Sequence, residues 1–221
     1  MLVSLIRFTH DPDELCARAA AKCYNSNNPE RARDHAIDGG HLSITEHAVF
    51  TFDVAGVSRA LLAQLTRHRI ASFSVQSQRY ISLDNCFEYV IPPAIEALGS
   101  AQVMEYKRQM AQMHMWYCQW QTKLGGPCEK ANEDARMVLP AATCTSLLVT
   151  MNARELMHFF ELRCCHRAQW EIREMADQML RCCKAVAPAL FAEAGPGCVN
   201  GKGCPEGKRS CGVPRLRREW E

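Results

Sequence analysis

The length, composition and charge of the chain restrict what it can be. A chain of 221 residues can form one domain with a hydrophobic core, or at most two small ones. Its residues are 48% hydrophobic and 23% charged, which is typical of a soluble globular protein. The formal net charge is only +2, so the molecule as a whole does not attract polyanions and any anion site must be local.

The first residues do not show the pattern of a secretory signal. They include Arg7, Asp11, Asp13 and Glu14, and no apolar run in the chain approaches the length of a membrane span. We therefore expect a cytoplasmic protein without a membrane partner. The 13 cysteines are an odd number, and most of them are expected to be reduced and buried as small hydrophobic residues.

The N-terminal part is predicted to contain a strand, two helices and a second strand. Residues 2–8 have the composition of a strand, and Asp11 or Asp13 is placed to cap the following helix. A second short helix reaches Ala36, and the apolar run 48–54 predicts the next strand.

A polar block, residues 41–47, precedes that second strand. Its spacing puts Ser43, Glu46 and His47 on one face of a helical turn. A metal site formed by His41, Glu46 and His47 is an alternative, although no further ligand follows at a recognised spacing.

A third helix, capped by Ser58, is predicted to lead into the most distinctive stretch of the chain, residues 67–80. Gln64, Arg67 and His68 stand at positions i, i+3 and i+4, so a helix through them directs one amide and two basic groups to one place. The stretch contains three arginines, one histidine, three serines and two glutamines, and no acidic residue. Its apolar residues follow neither the helical nor the strand period. Its donors suit a phosphate and a polar ring, and a solvated basic loop is the alternative.

The second half of the chain is predicted to be mainly helical. A strand pair or ribbon over residues 79–91 is followed by a long helix or helical hairpin over about 94–123. A further helix begins near Glu129 and leads to Arg136, and residues 144–151 are predicted to form a buried strand.

The next helix begins with an N-cap and N3 pair, Asn152 and Glu155. Arg154 and His158 share a face of this helix, with Arg163 next to that face. Because such groups are costly to bury without partners, this face is expected to line a pocket.

The composition changes after the last predicted helix, residues 167–191. We divide the chain into a domain of residues 1–194 and an appendage of residues 195–221, which is rich in glycine, cysteine and basic residues. The three cysteines of the appendage are spaced too loosely for a paired zinc site. A zinc site completed by ligands from elsewhere and a flexible basic tail are the two alternatives.

Three blocks of the sequence, in order, resemble the flavin-dependent thymidylate synthases. The central block is the signature Arg67-His68-Arg69, seven residues and then Ser77, followed by Arg79-Tyr80. The upstream block is residues 41–47, and the downstream block extends from residue 135 to residue 171. The resemblance covers about residues 1–190.

The resemblance implies an α+β fold, a single domain with a central, mostly antiparallel sheet flanked by long helices. It implies conversion of dUMP to dTMP, with methylenetetrahydrofolate as carbon donor, reduced FAD as hydride source and NADPH as reductant. It also implies a homotetramer whose FAD lies between subunits. The chain has no Gly-x-Gly-x-x-Gly fingerprint, which agrees with this family and argues against a Rossmann oxidoreductase.

The resemblance also implies two sets of site residues. The flavin set is Ser43, Glu46, Arg67, His68, Arg69, Ile70, Asn152, Arg154 and His158. The substrate set is His41, Gln64, Arg67, Ser77, Gln78, Arg79, Arg136 and Arg163.

Within the substrate set, a phosphate is expected to meet Ser77 and the backbone N–H groups of Gln78 and Arg79, with Arg79 and Arg136 adding charge. Arg163 is then free to hold a pyrimidine oxygen, so Arg163 and Ser77 are the expected catalytic residues. No general base stands at a recognisable spacing from Ser77, and no cysteine lies within the signature. Catalysis is therefore expected to rest on positioning and electrostatics, without an enzyme nucleophile.

The chain departs from the family at Ser74-Val75, where many members carry Asn-Glu. A carboxylate is therefore missing near Arg67 and Arg69, and Glu46 or Glu88 are candidates to replace it.

Two rival functions remain. One is a non-catalytic nucleotide- or RNA-binding protein that uses the segment Arg67 to Arg79, against which stand the near-neutral charge and the lack of a recognised nucleic-acid motif. The other is a different nucleotide-using flavoenzyme on the same fold.

Overall fold

The fold is α+β and is built around a four-stranded antiparallel sheet. A computed structural model describes residues 1–83, 86–199 and 203–220. The strands follow the order β1-β2-β4-β3 and are β1 (Leu2–Phe8), β2 (Val49–Ser58), β3 (Ala71–Val75) and β4 (Cys144–Asn152). The predicted fold class is confirmed.

The described helices are α1 (Pro12–Tyr24), α2 (Pro29–Asp38), α3 (Arg59–Leu65), α4 (Pro93–Glu96), α5 (Ser100–Lys123), α6 (Glu129–Ala135), α7 (Ala153–Arg163) and α8 (Trp170–Val186). Short 3-10 turns occupy Leu42–His47, Arg136–Val138, Gly207–Arg209 and Arg217–Trp220.

Two of the predicted helix caps are present. The Ser58 hydroxyl accepts from the Leu61 N–H at 3.0 Å, and the Asn152 side chain accepts from the Glu155 N–H at 2.9 Å. The start of α1 differs, because Asp11 adopts a left-handed φ of 43° and makes no side-chain cap. The helix begins instead at Pro12, whose fixed φ suits a first helical position.

Three other segments differ from the predictions. Residues 71–75, which alternate apolar and serine side chains, form β3 at one end of the strand order, with the apolar positions half-buried and the serines exposed. The strand pair predicted over 79–91 is wrong for its described residues, which form a single bridge from Tyr89 to Thr143; residues 84–85 lie outside the description. The last helix, α8, is also shorter than predicted.

The chain forms two compact units. The first unit consists of Met1, residues 54–64 and residues 74–147. The second unit consists of residues 2–53, 65–73 and 148–221. Strands β2, β3 and β4 each contribute residues to both units.

Each unit has its own buried helix face. In the second unit, α8 buries side chains at helical spacing, namely Ile172, Met175, Ala176, Met179, Leu180 and Cys183. In the first unit, α5 buries Met110, Tyr117 and Gln121 and leaves Trp116 and Trp120 about half exposed.

All 13 cysteines are free thiols. The expectation that most of them are buried is wrong, since only Cys16, Cys164 and Cys183 are fully buried. Burial raises the pKa of the Cys16 thiol to about 11, and burial raises the pKa of Cys164 and Cys183 well above the ordinary value. Five others are exposed: Cys23, Cys86, Cys128, Cys204 and Cys211.

Candidate functional site

The signature segment leaves helix α3 before its first arginine. Because α3 ends at Leu65, the predicted helical face through Gln64, Arg67 and His68 is wrong. The His68 N–H closes a turn on the Leu65 carbonyl at 3.0 Å, and this turn directs the histidine inward. His68 is only 5% exposed, whereas its neighbours Arg67 and Arg69 are exposed.

His68 is held by residues of α7, and we call His68, Glu155, His158, Phe159 and Arg163 the imidazole cluster. Its Nδ1 lies 3.0 Å from Oε1 of Glu155, and its Nε2 accepts from Nε–H of Arg163 at 3.2 Å. Arginine can only donate, so Nε2 must be the acceptor and Nδ1 carries the hydrogen that is donated to Glu155. The ring also packs edge-on against Phe159, with centroids 4.9 Å apart.

The electrostatics of the cluster favour a neutral imidazole. Burial lowers the pKa of His68, and the nearby charges of Arg163 and His158 lower it further, while Glu155 acts in the opposite direction. Burial and the charge of Arg67 also lower the pKa of Arg163, yet an arginine remains cationic at neutral pH. The cluster is therefore a neutral ring between a carboxylate and a guanidinium.

A cavity of about 780 Å³ opens beside α7 in the second unit, and we call it the Asn152 cavity. Five residues of the flavin set line it: Glu46, Ile70, Asn152, Arg154 and His158. The Arg154 guanidinium donates to the Glu46 carboxylate on this wall. The rest of the lining includes apolar side chains and the start of the C-terminal segment, among them Leu42, Met157, Leu190, Ala194, Gly195 and Gly197.

Other members of the flavin set lie elsewhere. Ser43 lines a separate depression next to Leu15 and Lys22 of α1, together with His47, which is not a member of the set. Arg67 and Arg69 are exposed. All nine residues of the flavin set belong to the second unit.

The substrate set is divided between the units. Gln64, Ser77, Gln78, Arg79 and Arg136 belong to the first unit. The remaining three, His41, Arg67 and Arg163, belong to the second. Gln64 donates within its own helix to the Ala60 carbonyl at 3.4 Å.

Residues 77–79 form a turn that differs from the predicted phosphate nest. The Ser77 hydroxyl oxygen accepts from the Arg79 N–H at 3.2 Å, so that N–H is already engaged. The Arg79 Nη2 donates to Glu129 at 2.7 Å. Its Nε lies 3.0 Å from a Glu133 oxygen, which is close enough for an ion pair but is not aligned as a hydrogen bond.

A buried polar network supports this turn, formed by Tyr117, Gln121 and Asn132. The Asn132 amide donates to the Arg79 carbonyl at 3.0 Å and accepts from Gln121 at 2.6 Å and from the Tyr117 hydroxyl at 3.3 Å. All three side chains are almost fully buried. Because unsatisfied polar groups are costly to bury, this network fixes the backbone at Arg79.

Arg59 is a further basic residue of the first unit that the sequence did not single out. Its Nη2 donates to the Gln76 carbonyl at 2.8 Å, just before Ser77. Burial and the charge of Arg136 lower its pKa. Arg136 itself donates from Nε to the Glu133 carbonyl at 3.1 Å. Two guanidinium groups thus lie close enough to repel each other in the unit that contains the turn.

Sequence reasoning also missed the supporting acids. Glu155 was interpreted only as the N3 residue of a helix cap, but its side chain reaches His68. Glu129 was used only to mark the start of a helix, although it binds Arg79. No local spacing signals these contacts, because the partners are far apart in sequence.

The part of the chain that the structure describes has neither a metal-binding cluster nor a membrane-spanning helix. Among the residues described, no group of three or more His, Cys, Asp or Glu side chains is arranged to hold a metal ion. In that part of the chain, no helix combines the length and apolar character that crossing a membrane requires.

Comparisons with known proteins identify the family. Residues 4–189 match a family model described as "Thymidylate synthase complementing protein". A relative from Geobacter sulfurreducens named "Flavin-dependent thymidylate synthase" is 45% identical over 99% of this chain and 99% of its own. Relatives of the same name from Clostridium tetani and Pyrococcus furiosus are 45% and 39% identical, over 95% and 99% of this chain and 92% and 96% of theirs. The chain belongs to the flavin-dependent thymidylate synthase family.

Proposed function

We propose that this protein converts dUMP to dTMP with methylenetetrahydrofolate as carbon donor and reduced FAD as hydride source, the FAD being reduced by NADPH. The observation that carries the proposal is the match to named synthases over nearly the whole chain, together with the Asn152 cavity. No observation of the structure favours the rival of a non-catalytic RNA-binding protein.

The Asn152 cavity fits a flavin. Its volume of about 780 Å³ lies within the range typical of cofactor pockets. Its lining contains an amide, a guanidinium, an imidazole and apolar side chains, together with five acidic residues, Asp38, Glu46, Glu155, Glu161 and Glu193. Because carboxylates disfavour a phosphate, the part of the cofactor that suits this cavity is the ring system. Asn152, Arg154 and His158 would hold the polar edge of the ring system, and Glu46 would keep Arg154 in place. When bound, the flavin supplies the hydride that turns the transferred methylene into a methyl group.

The chain's own residues would bind and orient the nucleotide. Ser77, Gln78, Arg79 and Arg136 would hold the phosphate, and Arg79 would exchange its glutamate partners for that phosphate. Arg163 donates its Nε–H to His68, and its two Nη groups would bind a pyrimidine oxygen.

Neutral His68 would act as a positioning residue for Arg163. It accepts one hydrogen bond from the guanidinium and is itself fixed by Glu155. A guanidinium held in this way does not need to reorganise during the reaction. It can therefore stabilise the negative charge that develops on the pyrimidine. No cysteine is needed in this scheme.

We also propose a homotetramer with shared active sites, located in the cytoplasm. The exposed apolar side chains of α5, including Met104, Met115, Trp116 and Trp120, support contact with other copies of the chain. Light scattering of the flavin-loaded protein tests this, and an active monomer would contradict it.

The function is tested by colour and by product. The purified protein, supplied with FAD, should show a flavin spectrum and should form dTMP only when dUMP, methylenetetrahydrofolate and NADPH are all present. A protein that binds no flavin in excess FAD would rule out the proposal. A flavin spectrum without dUMP-dependent product would favour the other flavoenzyme.

A further inference from the structure

The segment after α8 is tied to the second unit by a buried anchor formed by Asp177, Arg215 and Trp220. One carboxylate oxygen of Asp177 accepts from Arg215 Nη2 at 3.0 Å, and the other accepts from the indole N–H of Trp220 at 2.8 Å. Arg215 also donates to the Cys164 carbonyl at 2.9 Å, and its guanidinium lies 4.6 Å from the Trp220 ring centroid. All three side chains of the anchor are almost fully buried.

A buried ion pair of this kind gives the segment after α8 a defined geometry, so this segment is not a loose tail. If the pair opened while either group stayed buried, an uncompensated buried charge would remain. Open states of the pair are therefore disfavoured. Each carboxylate oxygen of Asp177 accepts one of these hydrogen bonds, so the anchor fixes the segment both at Arg215 and at Trp220.

The anchor touches the part of the segment that lines the Asn152 cavity. Gly195 has a φ of 137°, and a Cβ built on it would stand 3.6 Å from the Trp220 ring. Ala194, Gly195 and Gly197 line the cavity together with Asn152 and His158. Ala194, Gly195 and Gly197 carry no side chain longer than a methyl group, which leaves room for a flat ring at these positions, whereas the neighbouring Leu190 and Glu193 contribute longer side chains to the same lining.

The segment lies beyond the family model, which ends at residue 189, yet the Geobacter relative aligns over 99% of both chains. The family match alone therefore assigns it no part in the site. Its place in the cavity wall comes from the structure.

We propose that residues 194–197 form one wall of the flavin-binding site, and that Asp177, Arg215 and Trp220 are positioning residues for that wall. The inference rests on the proposed function, because it takes the ligand of the Asn152 cavity to be a flavin. This wall would offer backbone and apolar surface to the planar ring system, whereas Asn152 and Arg154 would offer it polar groups.

Hydrogen exchange of the wild-type protein, with and without FAD, separates the two ideas. FAD should slow exchange in peptides that cover residues 152–158 and also in peptides that cover residues 191–199. Protection of residues 152–158 alone would overturn the wall and leave the flavin function standing. Protection of neither region at saturating FAD would sink the flavin function and the inference with it.

The variant Trp220→Phe tests the anchor, because it keeps an aromatic ring and removes only the N–H donated to Asp177. We expect the dissociation constant of FAD to rise about 10-fold, as the loss of a hydrogen bond to a charged group predicts, and the dissociation constant of dUMP to change by less than about twofold. The matched control is Tyr24→Phe, which removes a polar hydrogen from an exposed ring on α1 and should change neither constant.

A folded Trp220→Phe protein with unchanged FAD affinity would overturn the role of the anchor. Equal loss of FAD and dUMP affinity would also overturn it, since a general structural effect would then explain both. If the variant does not fold, the exchange experiment on the wild-type protein still decides the proposal.

Discussion

The imidazole cluster and the Ser77–Arg79 turn hold arginines in opposite ways. In the cluster, Arg163 meets a neutral, buried histidine that is fixed from behind by Glu155. In the turn, Arg79 meets two carboxylates directly, and its side chain is 41% exposed. The first arginine is oriented without being neutralised, whereas the second is neutralised at the surface.

This difference separates two tasks. A guanidinium oriented by a neutral partner keeps its full charge for a group that develops charge during a reaction. A guanidinium paired with exposed carboxylates is held weakly, because such pairs contribute only about 0–1 kcal/mol, and a dianionic phosphate can displace them. The cluster is therefore built for preorganisation and the turn for exchange.

The largest expected effect is that of Arg163→Ala on dUMP binding. Loss of a charge-assisted hydrogen bond contributes about 1.5–3 kcal/mol, so dUMP affinity should fall by about 10- to 150-fold. FAD affinity should change much less. A dUMP titration followed by flavin absorbance measures both, with Arg108→Ala on α5 as the control. Unchanged dUMP affinity, or parallel loss of FAD, would remove Arg163 from the nucleotide site.

Glu155→Ala should destabilise the protein by leaving the Nδ1–H of His68 buried without its partner. We expect the free energy of unfolding to fall by about 1–3 kcal/mol. Glu161→Ala, an exposed position on the same helix, should change it by less than about 0.5 kcal/mol. Urea unfolding of both variants is the measurement, and equal effects would show that the His68 contact is not responsible.

The pH dependence of stability should come partly from His68. Because burial lowers its pKa in the folded state, the unfolded chain takes up a proton first as the pH falls below about 6.5. The free energy of unfolding should therefore decrease between pH 6.5 and 5, by at most about 2 kcal/mol.

His68→Gln should flatten that decrease, while His10→Gln, at an exposed position, should not. The groups that face His68 are Glu155, Arg163 and His158. Identical pH profiles for wild type and His68→Gln would show that His68 does not titrate differently in the folded state.

The smallest effect tests the exchange at the turn. In the double variant Glu129→Gln/Glu133→Gln, Arg79 no longer has competing carboxylates, so dUMP should bind about 2- to 5-fold more tightly. The double variant Glu96→Gln/Glu105→Gln, at exposed positions of α4 and α5, is the charge-matched control. Weaker dUMP binding in the double variant would mean that the glutamates orient Arg79 rather than compete for it.

Local signals predicted much of the fold. The caps at Ser58 and Asn152 follow from residue types a few positions apart, and both are present. Local signals did not predict the structure of the signature segment, residues 67–80. The edge strand β3 does alternate apolar and polar residues, but only over five positions within a longer polar stretch that shows no period as a whole. The spacing of Gln64 and His68 indicated a helix that in fact ends at Leu65.

The site was less predictable because its contacts join distant parts of the chain. The sequence indicated His68 and Arg163 through the family resemblance, but the contact from His68 to Glu155 spans 87 positions. The same is true of Asn132, which supports Arg79 from 53 positions away. Which residues share the Asn152 cavity depends on packing that no spacing rule describes.

The cysteines differ in burial, so their rates of alkylation can report local opening of the structure. The thiolate is the nucleophile that reacts with an alkylating reagent, so Cys16, Cys164 and Cys183 are protected both by burial and by their raised pKa values. Cys23, Cys86 and Cys128 are exposed and should be modified first. The Cys164 carbonyl oxygen also accepts a hydrogen bond from Arg215. A timed pulse of maleimide, read by mass spectrometry, therefore measures how often each region opens. No engineered cysteine or fluorophore is needed.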